Sequence, residues 1–270
     1  MNEHDEVDLM TDRAHSARIY DYFLGGKTNY AADRAVGDAM LAMAQTVRSG
    51  ARANRAFMHR ATRHLAGELG IRQFLDVGTG IPMSPNLHEI AQAVAPESRV
   101  VYVDNDPIVL AHARALMIGD PRGRTTYIDA DARNPRAILE APELADVLDL
   151  TRPIALSLFA VVHFIDDDET AYGAVGQLVE ALAPGSYLAL SSATRDFHVD
   201  TAEEAIAVYR DAGVNARPRS RAEIERFFSG LEMQDPGLVL VHKWRSTADI
   251  ATTGIDDADV YVYGAVARKP

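Results

Sequence analysis

The chain has 270 residues, 47% of them hydrophobic and 24% charged, with 39 acids against 27 bases and no cysteine. A chain of this size buries roughly three quarters of the surface its unfolded form exposes, so one large domain, or one domain with an appendage, is expected. Zero cysteine excludes disulfide frameworks, thiolate nucleophiles and metal–thiolate centres, and the formal net charge of −12 disfavours nucleic-acid binding.

Residues 1 to 12 are acidic and polar, so a loosely attached leader is expected there. The start has no basic region and no apolar run, and no stretch approaches the roughly 18 apolar residues a membrane span needs. This points to a cytoplasmic protein without membrane contact. From Ala14 to about Met43 the apolar positions Ile19, Tyr22, Phe23, Val36, Met40 and Leu41 recur at helical spacing around Gly25-Gly26, which predicts two short helices joined by a glycine turn. A longer helix is predicted from about Arg52 to Leu69, stopped by Gly70.

Beyond Gly70 short continuous apolar runs alternate with helical segments. The runs are Gln73 to Val77, Arg99 to Val103, Thr125 to Ile128, Ile154 to Ala160 and Ser186 to Ser191. Helices are predicted near residues 84–95, 107–118, 135–140 and 168–183. Strands that are apolar throughout and alternate with helices belong to a parallel sheet covered on both faces, a doubly wound α/β domain. Helices near 202–213 and 220–229 accompany two last strands, Leu238 to His242 and Val260 to Ala267. The segment 246–258 between those strands shows no helix, so a partly antiparallel finish is expected.

Doubly wound sheets bind ligands at the carboxyl ends of their strands. The first predicted strand ends in Asp76-Val77-Gly78-Thr79-Gly80, where paired glycines allow a ligand to approach backbone closely. The second ends in Asp104-Asn105-Asp106, suited to ribose hydroxyls, and the third in Asp129-Ala130-Asp131-Ala132, suited to an adenine amine and a ring nitrogen. A dinucleotide fingerprint needs a third glycine where Met83 stands, between Pro82 and Pro85. With Asp76 before the loop and no basic residue near it in sequence, the loop suits a ligand bearing an amine and a sulfonium. S-adenosylmethionine fits that description better than NAD or ATP.

The stretches FLDVGTGIPMSPN, VVYVDNDPIVLAHARAL and PGSYLALS resemble class I S-adenosylmethionine-dependent methyltransferases. Together with RIYDYFLGGKTNYAADR, NRAFMHRA, LFAVVHFIDDD, PGLVLVHKWR and GAVARKP, they are similar to an actinobacterial group of S-adenosyl methyltransferases first catalogued as a domain of unknown function. The resemblance runs from about Ala17 to Pro270. It implies a Rossmann-like, seven-stranded sheet of order 3-2-1-4-5-7-6 with strand 7 antiparallel, an N-terminal helical cap over residues 1–50 and a methyltransferase domain over 51–270. It further implies cofactor contacts from Asp76, Gly78, Thr79, Gly80, Asp104, Asn105, Asp131 and Ala132; that the methyl group goes to a small-molecule acceptor is a separate expectation. It implies neither the acceptor's identity nor an oligomeric state. A protein that senses S-adenosylmethionine without turnover, or an NAD-linked oxidoreductase, are the alternatives.

Several other residues stand out. Tyr20, Tyr22, Lys27 and Asn29 cluster around the hinge-capable glycines and are candidates for a lid; a phosphate-binding loop at Gly25-Gly26-Lys27-Thr28 is excluded by Asp21 in the position of its first glycine. His163 lies beyond the fourth strand as a candidate general base, and Phe159 as a candidate cofactor contact through cation–π attraction. Trp244 is a core or pocket residue. His88-Glu89 misses the zinc pattern by one histidine, and Asp166-Asp167-Asp168 reads as a helix start, so no metal is expected.

Overall fold

A computed structural model describes residues 9–116, 119–197, 199–246 and 256–270. Three helices open the chain: α1 (Ser16–Leu24), α2 (Ala31–Met43) and α3 (Val47–Gly67). The alternating region follows as β1 (Gln73–Val77), α4 (Leu87–Val94), β2 (Arg99–Asp104), α5 (Pro107–Leu116) and β3 (Arg124–Asp129). Next come α6 (Pro135–Leu139), α7 (Pro142–Val147), β4 (Ala155–Phe159), α8 (Asp168–Glu180) and β5 (Tyr187–Ala193). The chain finishes with α9 (Val199–Asp211), α10 (Arg221–Glu225), β6 (Glu232–Met233), β7 (Val239–Leu240), α11 (Asp257–Val260) and β8 (Val262–Arg268).

The strands form one sheet of order β3-β2-β1-β4-β5-β8-β6, with β7 also paired to β8. β1 to β5 are parallel; β8 runs antiparallel to β5, β6 and β7. Alternate residues of each strand face opposite sides. Leu75, Val101, Leu156 and Leu188 pack with Ile138, Leu144 and Leu178 on one face. Phe74, Val100, Ala155 and Ala189 pack with Phe57, Leu65 and Ile90 on the other. Both faces are covered, as continuous apolar strands require. Trp244 is fully buried in the second cluster, edge-on to Phe57 at 5.3 Å, so it is core.

The expected seven strands become eight. Where one sixth strand was expected, Asp235-Pro236-Gly237 interrupts the pairing along β8. β6 meets Arg268 and Ala267 and β7 meets Gly264 and Tyr263, and proline has no N–H to bridge the gap. The predicted strand from Leu238 to His242 therefore shortens to two residues and turns into a 3₁₀ segment at Val241–Lys243. In the segment expected to lack a helix, Asp256 accepts from the Ala258 N–H at 3.1 Å and starts α11; residues 247–255 lie outside the described residues. So do residues 1–8 of the expected leader. Met10, further along it, and Arg13, just past it, offer backbone carbonyls to the Arg18 guanidinium at 3.1 and 3.0 Å. No described helix is long and apolar enough to cross a membrane.

α1 and α2 meet at a left-handed Gly25 cap and form a third core cluster around Ile19, Phe23, Val36, Met40, Val47 and Ala51. α3 runs unbroken through residue 50 and carries the cap onto the sheet, packing on α4, α11 and β8.

Candidate functional site

The loop after β1 is shaped by backbone. Gly78 has φ +75°, and a Cβ there would stand 2.2 Å from Val161 Cγ2. Both the conformation and the space require glycine. Gly80, at φ +70°, borders open space. Gly78 N–H donates to Val103 O at 2.8 Å, and the Thr79 hydroxyl donates to Asp76 O at 3.2 Å.

A cleft of about 350 Å³ opens above these strand ends. Gly78, Thr79, Gly80, Asp104, Asn105 and Asp131 line it, with Ala132 and Phe159 beside them. These residues come from the ends of four strands, β1, β2, β3 and β4, as the sequence predicts. Asp104 is nearly buried; one oxygen accepts from Gly80 N–H at 2.8 Å and the other from Asp106 N–H at 3.0 Å. Burial raises its pKa against those two hydrogen bonds. Asp131 accepts from the Arg133 backbone, Nε and Nη2, at 2.8, 2.9 and 2.5 Å, and from Asn105 Nδ2 at 3.0 Å, which holds its carboxyl below the usual range. The Arg133 side chain in that set is half exposed. Asp129, the other candidate, is exposed and outside the lining.

Asp76 sits beneath the cleft and does not line it. Burial pushes its pKa up to about 6, although Ser157 Oγ donates to it at 2.7 Å and the Arg55 guanidinium lies near. Arg55 corrects the expectation of a loop without a cation. From α3 its Nη2 donates to the carbonyls of Met83 and of Pro85, the latter at 2.8 Å. Its charge is thus spent on the loop's backbone.

Of the four lid candidates only Tyr20 reaches the cleft. Tyr22 donates to Asp38 at 2.5 Å, Lys27 is exposed, and Asn29 ties Asp21 and Gly26 together inside the glycine turn. The cap is instead fastened by residues that sequence reasoning missed. Arg18 Nε lies 3.1 Å from Asp106 Oδ2 and 3.7 Å from Asp33, and His15 Nδ1 lies 3.0 Å from Asp106. Arg18, Asp33 and Asp106 are all buried. Burial works to lower the His15 pKa, but the hydrogen bond and charge of Asp106 outweigh it and the net shift is upward. The partners of Arg18 stand 15 and 88 residues away, and no local pattern announces them.

A second cavity of about 160 Å³ adjoins the first, between α1–α3, α9 and the start of β8. The two share the wall residues Ser16, Tyr20, Ala160 and Phe164. A buried chain of hydrogen bonds fixes that wall. The Tyr20 hydroxyl donates to Ala51 O and accepts from Asn54 Nδ2, both at 2.9 Å. Asn54 Oδ1 accepts from Ser191 Oγ at 2.6 Å, and Ser191 Oγ accepts from Ala160 N–H at 3.0 Å. Ala160 has φ +57°, a strained conformation for a residue with a side chain, held where the two cavities meet.

His163 lines the second cavity. Its Nδ1 accepts from Ala193 N–H at 3.3 Å, which puts the ring proton on Nε2, and burial lowers its pKa to about 3. In this arrangement the imidazole is a neutral donor and a poor base. Among the described residues no three His, Asp or Glu side chains cluster as a metal site; Asp168 pairs with Arg217 and Arg219 at 2.7 and 3.0 Å.

The sequence model of the S-adenosyl methyltransferase family matches residues 2–270. The chain belongs to that family. A DUF574 family protein of Streptomyces avermitilis is 55% identical, with a TM-score of 0.94 over 97% of this chain and all of its own. A candidate methyltransferase of Thermobifida fusca is 36% identical, with a TM-score of 0.89 over 99% of each chain. No functionally curated protein matches the chain. This member of the family is therefore an S-adenosylmethionine-dependent methyltransferase with a Rossmann-like fold, and S-adenosylmethionine is its cofactor.

The donor set of the cleft fits that cofactor. Two carboxylates, Asp104 and Asp131, face a volume bordered by open glycine backbone, and the basic side chains that line it, Arg133 and His15, are already paired. Such a cleft suits a nucleoside that carries positive charge and no phosphate.

Proposed function

We propose that this enzyme methylates a small-molecule acceptor by direct in-line displacement. The observation that carries the proposal is the shared wall of Tyr20, Ala160 and Phe164, which lets a group held in the cleft face a molecule held in the second cavity. When bound, S-adenosylmethionine supplies a methyl group on cationic sulfur; an acceptor lone pair bonds to that carbon as the carbon–sulfur bond breaks, its electron pair goes to sulfur, and the proton the acceptor sheds goes to solvent water. Asp104 would take the ribose hydroxyls, Asp131 and Ala132 N–H the adenine, and the backbone of Gly78 and Gly80 the close approach of the methionyl part. Asp76 would set the potential near its amine.

Displacement of this kind needs alignment and exclusion of water more than proton transfer, and alignment alone is worth about 7–11 kcal/mol in favourable cases. The chain is built accordingly. Tyr20, Asn54 and Ser191 spend their polar atoms on one another, fixing one side of the place where the two chambers adjoin. His163, neutral and proton-bearing at Nε2, orients an acceptor by donating a hydrogen bond.

The test is to incubate the protein with methyl-labelled S-adenosylmethionine and a low-mass metabolite extract. Label is expected in a compound of low mass. Label confined to macromolecules would overturn the small-molecule reading, and binding without any transfer would favour a sensing role.

A further inference from the structure

We infer that the acceptor is an uncharged, single-ring aromatic compound, such as a phenol or an aromatic amine, held in the second cavity; this rests on the proposed function and specifies its substrate. Three observations carry the inference. The first is the chemistry of the wall. Among the described residues, no Asp, Glu, Lys or Arg lines the cavity. A carboxylate or alkylammonium placed there would leave water without meeting an opposite charge, which is heavily disfavoured. Arg219, whose charge acts on His163, is buried and engaged: it donates to Asp168 at 3.0 Å and to the carbonyls of Val162 and Ile165 at 2.7 and 2.9 Å.

The second observation is shape and size. Tyr20, Phe23, Phe164, Phe197, Tyr209 and Tyr261 contribute six phenyl or phenol rings to the lining, and Met40 and Met43 add adaptable thioethers. Aromatic rings prefer edge and offset contacts with other rings, and methionine fills the irregular gaps around them. The volume of about 160 Å³ compares with the roughly 150 Å³ apolar cavity known to take up one benzene. Two fused rings with large substituents exceed it.

The third is the polar inventory. Tyr20, Asn54 and Ser191 satisfy one another, and Thr194 Oγ1 accepts from Asp196 N–H at 3.1 Å. His163 has Nδ1 engaged, and its Nε2 has no hydrogen-bond partner among the described residues. Its low pKa keeps the ring uncharged near neutral pH. The hydroxyls of Ser16, Thr46, Thr201, Tyr209 and Tyr261 line the cavity as well, so every polar side chain it offers, the His163 donor among them, is uncharged and suits the polar end of a neutral ring. Phenols and aromatic amines are neutral at that pH, whereas benzoates and benzylamines are charged.

The experiment uses the full chain saturated with S-adenosylhomocysteine and titrates single-ring probes by calorimetry: 4-methylphenol, 4-methylbenzoate and 4-methylbenzylamine, with 4-methylbenzamide and 4-methylbenzyl alcohol as uncharged controls of the same size as the charged pair. 4-Methylphenol is expected to bind with a submillimolar Kd, at least tenfold tighter than either charged probe. Ala205→Leu and Ala202→Phe, on the α9 wall, are expected to weaken it more than tenfold while S-adenosylhomocysteine binding and the melting temperature hold. Equal or tighter binding of a charged probe, no binding of 4-methylphenol at millimolar concentration, or unchanged binding in two folded variants would each overturn the inference. Failure of S-adenosylhomocysteine to bind would instead count against the proposed function.

Discussion

Asp76→Asn should stabilise the protein while impairing the site. The Asp76 side chain is 7% exposed, and burial raises its pKa from 3.8 to about 6. Between those values the folded protein keeps a proton that the unfolded chain has released, so stability falls as pH rises across the window, and the full cost stands above about pH 6. At about 1.4 kcal/mol for each pH unit, ionised Asp76 costs up to about 3 kcal/mol at pH 7.5 and about 1 kcal/mol at pH 4.5. Asparagine retains an oxygen for the Ser157 hydroxyl and carries no charge. The variant should therefore melt higher at pH 7.5. Even half of the full gain raises the melting temperature by about 3 °C, at roughly 2 °C per kcal/mol. Calorimetric melts of the cofactor-free protein at pH 4.5 and 7.5 measure this. A gain that is absent at pH 7.5, or equal at the two pH values, would refute the reasoning. Cofactor affinity should fall in the same variant, since a buried charge that only destabilised the fold would have no use.

Three more outcomes follow from the geometry. Asp104→Ala removes the proposed ribose acceptor, and losing hydrogen bonds to a charged group should weaken S-adenosylmethionine binding by about 1.5–3 kcal/mol, roughly 10- to 150-fold; unchanged affinity in a titration would remove Asp104 from the site. Gly78→Ala meets both a left-handed backbone and Val161 at 2.2 Å, so denaturant unfolding should show a loss of about 2–5 kcal/mol, with Val161→Ala restoring only part of it. Arg18→Met strands Asp106 and Asp33 without their cation and should cost about 3–5 kcal/mol by urea denaturation, against near-neutral effects for the exposed Arg136→Met.

The parallel half of the sheet was legible because β1, β2, β4 and β5 are buried almost throughout, and a run of buried residues has no other economical explanation. β1 falls on the residues expected, Gln73 to Val77. The antiparallel edge was not, because strands of two residues carry too little pattern to see and depend on where Pro236 interrupts β8. The same division holds in the site. Residues fixed by their place at a strand end, Gly78, Gly80, Asp104 and Asp131, all border the cleft. Residues whose role depends on distant partners were invisible: Arg18 to Asp106, Tyr20 to Asn54 to Ser191, and Arg55 to the loop carbonyls. Tyr22, Lys27 and Asn29 lie near Tyr20 in sequence but do not line the cleft. On α1, positions 20 and 22 point to different sides of the helix.

A crystal structure of the protein grown with S-adenosylhomocysteine would measure the placement on which the rest depends. The expected result has the ribose hydroxyls on Asp104, the adenine between Asp131 and Ala132, and the sulfur at the wall of Tyr20 and Ala160, facing the second cavity. A nucleoside bound elsewhere, or a sulfur turned away from that cavity, would contradict the two-chamber description.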